Sequence, residues 1–340
     1  MIINQYKKSD AKKWIQKSLG ADRDLNERVY TSQLIGRNPD LVMHGGGNTS
    51  VKVERLNLFG ELERVLHVKG SGWDLDTILA PGLPGVRLEP LLKLRKLKAL
   101  SDEDMVNVQR NNLLNSSSPN PSVETLLHAF LPHKFVDHTH ATPFLILANL
   151  PNAVEVCEKI FGDRLGIVPY IMPGFDLAKK AAEVYEENPK VEGLLLLNHG
   201  HFAFSDTAKQ SYDRIVSHTN EVAKYFKLEV ATKIGKRHKV KGLHFLPVLR
   251  GIIAELNGGK QDPMPIFDLR NGSEIMKFFQ REDIDSLVKR GMASPDHVLR
   301  TKGSPVFLKQ ADVIKGRSGI EKRILQFRED YHRYFKRQAP

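Results

Sequence analysis

Apolar and polar positions alternate with two different periods along this chain, and the switches between them predict a mixed α/β protein. Residues 10 to 37 carry Ala11, Trp14, Ile15 and Leu19, then Val29, Leu34 and Ile35, at helical spacing broken near Gly20. A strand and glycine turn follow over Leu41 to Val53, and a second strand over Val65 to Lys69 runs into Gly70-Ser71-Gly72. Helical patterns return over Leu91 to Leu100 and Asp102 to Asn112, then a loop over Ser116 to Pro121, after which Pro121 to Glu124 opens a helix through Phe130. Beyond a strand containing His138 and His140, helices are expected near Ala153 to Phe161, over Asp176 to Glu187 and over Ala208 to Ala231. Short strands are expected at Ile167 to Ile171 and Gly193 to Leu197. Strands alternate with helices while hairpin-like pairs occur early, so the predicted fold class is a mixed central β-sheet flanked by helices, with no internal repeat. Residues 1–230 are expected to form the main domain and 231–242 a basic linker. Residues 243–340, with their Pro and Gly turns and charged helical end, are expected to be a C-terminal extension packing on that domain.

Composition narrows this picture. The 340 residues carry a formal charge of +11, which raises the question of nucleic acid. The basic residues are spread along the chain except for Lys233, Lys236, Arg237, Lys239 and Lys241. No zinc-finger, homeodomain or RNP pattern accompanies them, so a solvated linker is expected, with no nucleic-acid partner. A general positive field also suits a small anionic substrate. One cysteine, Cys157, excludes an internal disulfide framework and suits a reducing compartment. The first residues lack an apolar signal region, and the longest apolar run, around Pro143 to Leu150, is far short of the roughly 20 residues of a membrane span. A cytoplasmic protein with no membrane partner is expected.

The candidate chemistry lies in Asp137-His138-Thr139-His140. Histidines at i and i+2 of a strand project from one face, and His199, at the end of an apolar strand before Gly200, can complete a set of nitrogen ligands for zinc or a similar divalent ion. Glu124 has two readings: a helix-start carboxylate that caps amides, or a general base beside the ion, which is favoured. His44, His67, His128, His133 and His201 show no comparable partner pattern, and His128, four residues after Glu124, is expected to be structural. The turn Gly45 to Ser50, Gly70-Ser71-Gly72 and Ser122 offer small residues, hydroxyls and amides suited to a phosphate. Neither a dinucleotide fingerprint nor a P-loop string occurs, and His44-Gly45-Gly46-Gly47 lacks the nucleophile elbow that a hydrolase needs.

Taken in order, the Gly-Asn-Thr-Ser turn, the Gly-Ser-Gly turn, the Ser-x-Glu helix start, His-x-His and His-Gly resemble the class II aldolase/adducin family over about residues 25 to 230. Val68 to Leu75 and Arg290 to Lys302 look most like the aldolase half of bifunctional rhamnulose-1-phosphate aldolase/alcohol dehydrogenase proteins. The chain carries no dinucleotide loop, so a stand-alone aldolase or a piece of such a protein is expected. The resemblance implies that His138, His140 and His199 bind Zn2+, that Glu124 is the acid/base residue, and that Asn48, Ser71, Gly72 and Ser122 hold a substrate phosphate. It also implies cleavage of a ketose 1-phosphate to dihydroxyacetone phosphate and an aldehyde, by a homotetramer. Where the family often has a Thr-Pro turn this chain has Lys69-Gly70, which bears on the phosphate contacts. Tyr170 is a candidate proton donor to the leaving oxygen. Asp296, His297 and Arg300 are candidates for the aldehyde end, although turn stabilisation is the stronger expectation for them. Sugar-phosphate epimerases and dehydratases of the same family would keep the three histidines. Glu rather than Asp at position 124 favours the aldolase over an epimerase, while a non-catalytic adducin-like scaffold would need neither metal nor acid.

Overall fold

The alternating segments assemble into one seven-stranded sheet among the described residues of the computed structural model, which are 1–16, 23–43, 46–228, 243–258, 265–293, 297 and 301–339. The strands are β1 (Asn48–Leu56), β2 (Leu62–Val68), β3 (Gly85–Arg87), β4 (Phe135–Thr139), β5 (Leu165–Val168), β6 (Gly193–Leu196) and β7 (Gly200–Ser205). Their order is β3-β2-β1-β4-β7-β6-β5, and every neighbouring pair is antiparallel except β5 with β6. The mixed sheet flanked by helices is therefore the observed fold class.

The helices of this unit are α1 (Lys8–Gln16), α2 (Arg23–Gly36), α3 (Leu88–Leu94), α4 (Asp102–Asn111), α5 (Thr125–Phe130), α6 (Thr142–Ala148), α7 (Ala153–Phe161), α8 (Phe175–Glu187) and α9 (Ala208–Tyr225). Because side chains alternate across a strand, each face of the sheet builds its own core. Val51, Val65, Phe135, Leu195 and Ala203 join Leu25 and Val29 of α2, Phe144 of α6, Val156 of α7 and Tyr212 and Ile215 of α9 on one face. Leu66, Val68, Val136, Leu194, Phe202 and Phe204 join Leu91 of α3, Met105 of α4, Leu126 and Leu127 of α5 and Ala178 and Ala181 of α8 on the other.

Several expectations shift. The first strand begins at Asn48, not Leu41: Leu41 and Val42 are buried, yet their amides turn back to Asn38 O, a coil that seals the core without joining the sheet. The strand expected at Ile167 to Ile171 is Leu165–Val168, and the helix expected from Leu91 begins at Leu88. The apolar run at Thr142–Ala148 is helix α6, with Pro143 in the first turn, where a missing N–H costs no hydrogen bond. Strand β7 is an element the sequence did not reveal; it closes a hairpin with β6. The break near Gly20, His44, the basic cluster and Arg300 lie outside the described residues.

The chain divides into two compact units, Met1–Val230 with Ala293–Asp296, and Ala231–Met292 with His297–Pro340. The second unit contains helices Leu246–Leu256, Ser273–Phe279, Ile284–Leu287, Gln310–Ile314 and Gly316–Gln338. No helix among the described residues is long and apolar enough to cross a membrane.

Candidate metal centre

One end of the sheet collects the chemistry. Strand β4 lies between β1 and β7, with His138 opposite Asn48 on one side and Phe202 on the other. Those three side chains therefore share a face, and the neighbouring row of Thr49, Asp137 and Ala203 points the opposite way. On that opposite face Asp137 is anchored by the wholly buried guanidinium of Arg28 on α2, at 2.7 Å, and by the hydroxyl of Ser211 on α9. Burial pushes the Asp137 carboxyl up, and Arg28 and Ser211 oppose the push. This anchor fixes the strand from which the histidines project.

His140 follows β4 directly, and His199 sits in the turn joining β6 to β7. Asn198, with φ 56°, takes the left-handed conformation that this turn requires, a state asparagine tolerates better than most residues. One ligand nitrogen from each of His138, His140 and His199 falls within 4.8 Å of the others. The Nε2 atoms of His138 and His140 are 2.9 Å apart. The Nδ1 of His138 lies 3.1 Å from His201 O, an acceptor only, so it carries the proton and Nε2 presents a lone pair to the centre. His138 also stacks on Phe202 at 4.1 Å between ring centres. Burial holds the His138 imidazole well below the ordinary histidine range, against the pull of Glu124.

Glu124 completes the arrangement. It occupies the N-cap position of α5, but its side chain makes no capping bond. The carboxylate turns inward instead, with Oε1 3.1 Å from His199 Nε2 and Oε2 3.5 Å from His138 Nε2. Burial would raise its carboxyl, but His138, His199 and His140 together outweigh burial and hold it well below the usual carboxylate range. An ionised, buried carboxylate beside three convergent imidazoles is a donor set suited to a divalent ion, with a base at its edge.

The remaining candidates divide. The Asn48 Nδ2 donates to Glu124 Oε2 at 2.6 Å and to Ser122 Oγ at 3.2 Å, so these three meet. Ser71 and Gly72 lie on the adjoining loop, tied to the Ser122 loop by the Gly70–Pro121 bridge and by Ser71 N donating to Asn120 O. Ser122 N donates to Lys69 O, and Ser122 Oγ accepts from Asn48 Nδ2 and from Glu124 N. Tyr170 lies two residues beyond β5, at the same end of the sheet but on its outer edge, with its ring half exposed. His297 belongs to the second unit. Sequence reasoning missed the contacts of His128: its Nδ1 lies 2.8 Å from Ser50 Oγ and its Nε2 meets Asn48 Oδ1. The available signal was its i, i+4 spacing from Glu124, which puts both on one side of α5.

Two expected results arise from this geometry. A Cβ at Gly200 would stand 2.7 Å from both Thr139 O and His140 Cδ2 and 3.1 Å from His138 Cε1. Gly200→Ala is therefore expected to weaken metal binding at least about 10-fold, because ligand orientation is displaced; metal titration checks this, and unaltered affinity would contradict it. The second concerns pH. Burial lowers His128 to about 3, whereas the unfolded chain takes up its proton near 6.5. Between these values the unfolded state binds more protons, so the stability contributed at neutral pH is lost as pH falls below 6.5, about 2 kcal/mol by pH 5 from this group alone. His201 and His218, also lowered by burial, act in the same direction. Trp14 and Trp73 both belong to the first unit, so urea unfolding followed by tryptophan fluorescence at pH 7 and pH 5 measures the loss.

Fold and site together define an α/β protein with a buried centre of three histidines and one carboxylate at a sheet end. The chain belongs to the class II aldolase and adducin family: residues 26–225 match the Class II Aldolase and Adducin N-terminal domain. Residues 241–340 match the second domain of class II aldolases. A curated relative, the uncharacterized oxidoreductase YuxG of Bacillus subtilis strain 168, is 33% identical over 334 residues, covering 93% of this chain. The chain spans 47% of that relative's length. Among solved structures, the N-terminal class II aldolase domain of a conserved Thermoplasma acidophilum protein is 38% identical, with a TM-score of 0.59, covering 66% of this chain and 100% of that one.

Proposed function

We propose that this chain is a metal-dependent aldehyde-lyase that cleaves a ketose 1-phosphate, with L-rhamnulose 1-phosphate preferred, into dihydroxyacetone phosphate and L-lactaldehyde. The observation that carries the proposal is the buried Glu124 side chain, which turns away from its helix cap to lie 3.1 Å from His199 and 3.5 Å from His138. His138, His140 and His199 would hold the ion, most suitably Zn2+, since imidazole nitrogens suit it and one nitrogen from each lies within 4.8 Å of the others. Such an ion, when bound, polarises the carbonyl and adjacent hydroxyl oxygens of the sugar.

The chain's own residues then divide the work. The Ser71 and Ser122 hydroxyls and the Gly72 amide receive the phosphate, and Asn48 links that subsite to the base through its bonds to Ser122 and Glu124. In cleavage the Glu124 carboxylate takes up the proton that the C4 hydroxyl gives up as the aldehyde forms, the electron pair of the breaking C3–C4 bond stays on C3, and Glu124 delivers that proton there; in the reverse direction Glu124 removes it. The proton of the C4 hydroxyl departs as the aldehyde forms, and Tyr170, at the same sheet end, is the proposed partner for that oxygen. A homotetramer, on the strength of family membership, and a cytoplasmic location, suited to a chain with the single cysteine Cys157, accompany this proposal. Residues 1–230 serve as the catalytic domain, 231–242 as a linker and 243–340 as an extension.

The substrate part is tested by comparing dihydroxyacetone phosphate release from L-rhamnulose 1-phosphate and L-fuculose 1-phosphate. The expected result is at least about 10-fold higher kcat/KM for the rhamnulose ester, a difference of roughly 1.4 kcal/mol. Equal rates, or a preference for the fucose-derived ester, would overturn the assignment of the sugar.

A further inference from the structure

His128 is buried, lies outside the ligand set, and has both ring nitrogens engaged on β1. The pattern of donors around it has one consistent solution. Glu124 Oε2 is a carboxylate oxygen and accepts, so the Asn48 atom 2.6 Å away is the amide nitrogen, whose second N–H reaches Ser122 Oγ at 3.2 Å. The Asn48 Oδ1 therefore faces His128 Nε2 and needs a proton from it. Burial keeps the imidazole neutral, so Nδ1 then has no proton and accepts from the Ser50 hydroxyl, 2.8 Å away. Ser50, His128, Asn48 and Glu124 thus form a directed chain of bonds ending on the carboxylate.

The supports of this chain are rigid. Asn48 and Ser50 lie two apart on β1 and share the face of His138, while His128 and Glu124 are four apart at the start of α5. The His128 ring packs against Phe202, on whose ring His138 stacks. The strand that holds the imidazoles and the helix that holds the base are thereby set against one another through one histidine.

We infer that His128 is the positioning residue for Glu124: through its Nε2–H it fixes which way the Asn48 amide faces, and the amide in turn holds the carboxylate at the histidine centre. This rests on the proposed lyase activity for its kinetic readout, but not for its structural one. Without the donor at position 128 the Asn48 amide loses the partner that selects its orientation. Its carbonyl oxygen can then turn toward Glu124, where two acceptors repel and the carboxylate swings away. Glutamine at position 128 places an N–H near the original Nε2 position, whereas phenylalanine fills the space and offers none.

The test compares the full-length, Zn2+-loaded wild type with His128→Phe and His128→Gln. In the phenylalanine variant kcat for the ketose 1-phosphate is expected to fall about 10- to 100-fold with KM changed less than about threefold, and the glutamine variant to recover most of the loss. Crystal structures of the same proteins, which need no substrate, are expected to keep the Asn48–Glu124 contact in wild type and His128→Gln and to lose it in His128→Phe. Retention of that contact in the phenylalanine variant overturns the inference, as does wild-type kcat in that variant or equal losses in both variants. A wild type without lyase activity whose His128→Phe crystal nonetheless loses the contact refutes the proposed reaction while upholding the role of His128.

Discussion

Glu124→Gln is expected to lower turnover of a ketose 1-phosphate by about 10²- to 10⁴-fold, the usual worth of a positioned acid or base, while metal content stays at the wild-type level. The amide has the size of the carboxylate and can still meet Asn48 Nδ2 with its oxygen, so the site should keep its shape. It cannot carry the proton to C3. Burial alone would favour a neutral acid at this position, and the imidazoles of His138, His199 and His140 together with the hydrogen bond from His199 make it a carboxylate instead. The variant removes that proton carrier and leaves the three imidazoles in place. Steady-state kinetics alongside metal analysis of the same preparation measures both quantities. Turnover within about threefold of wild type would remove Glu124 from the mechanism.

The largest expected effect on stability is at the back of the same strand. Asp137→Ala should destabilise the first unit by about 3–5 kcal/mol, because it leaves the Arg28 guanidinium buried without its counter-charge. Arg28 keeps its bonds to Ser32 Oγ at 3.2 Å and Thr31 Oγ1 at 2.7 Å, and neither hydroxyl neutralises it. The paired replacement Arg28→Met with Asp137→Leu should recover most of the loss, since apolar groups of similar volume do not carry the desolvation cost. Urea unfolding followed by tryptophan fluorescence gives both values. A single-variant loss below about 1 kcal/mol would mean that the pair is hydrated rather than buried. Asp137 and His138 are adjacent and point to opposite faces, so the same destabilisation should loosen the ligand strand.

Much of this was legible in the sequence where a spacing had a single physical meaning. His138 and His140 were expected to share a face of one strand; the strand ends at Thr139, between them, and both lie beside His199. Glu124 had two meanings, cap or base, and the fold speaks to the first: the side chain makes no capping bond and turns to the histidines. Strand β7 stayed hidden because Gly200-His201-Phe202-Ala203-Phe204-Ser205 is buried on both faces and so lacks the alternation of a half-exposed strand. Helix α6 was ambiguous for a related reason, since a short apolar run carries no period that separates strand from helix. The phosphate role expected of Asn48 came from the family resemblance. The bond of Asn48 to Glu124 depends on the pairing of β1 with β4 and on the approach of α5, which are long-range facts. Family membership rests on the matches to residues 26–225 and 241–340, and it supports the lyase proposal without choosing the sugar.

The central claim is that Glu124 acts beside an ion held by His138, His140 and His199. Its most direct measurement is dihydroxyacetone phosphate release from L-rhamnulose 1-phosphate by protein stripped of metal and then titrated with Zn2+. The account predicts no release above background from the stripped protein and recovery that saturates near one ion per chain. Equal release before and after titration would contradict it.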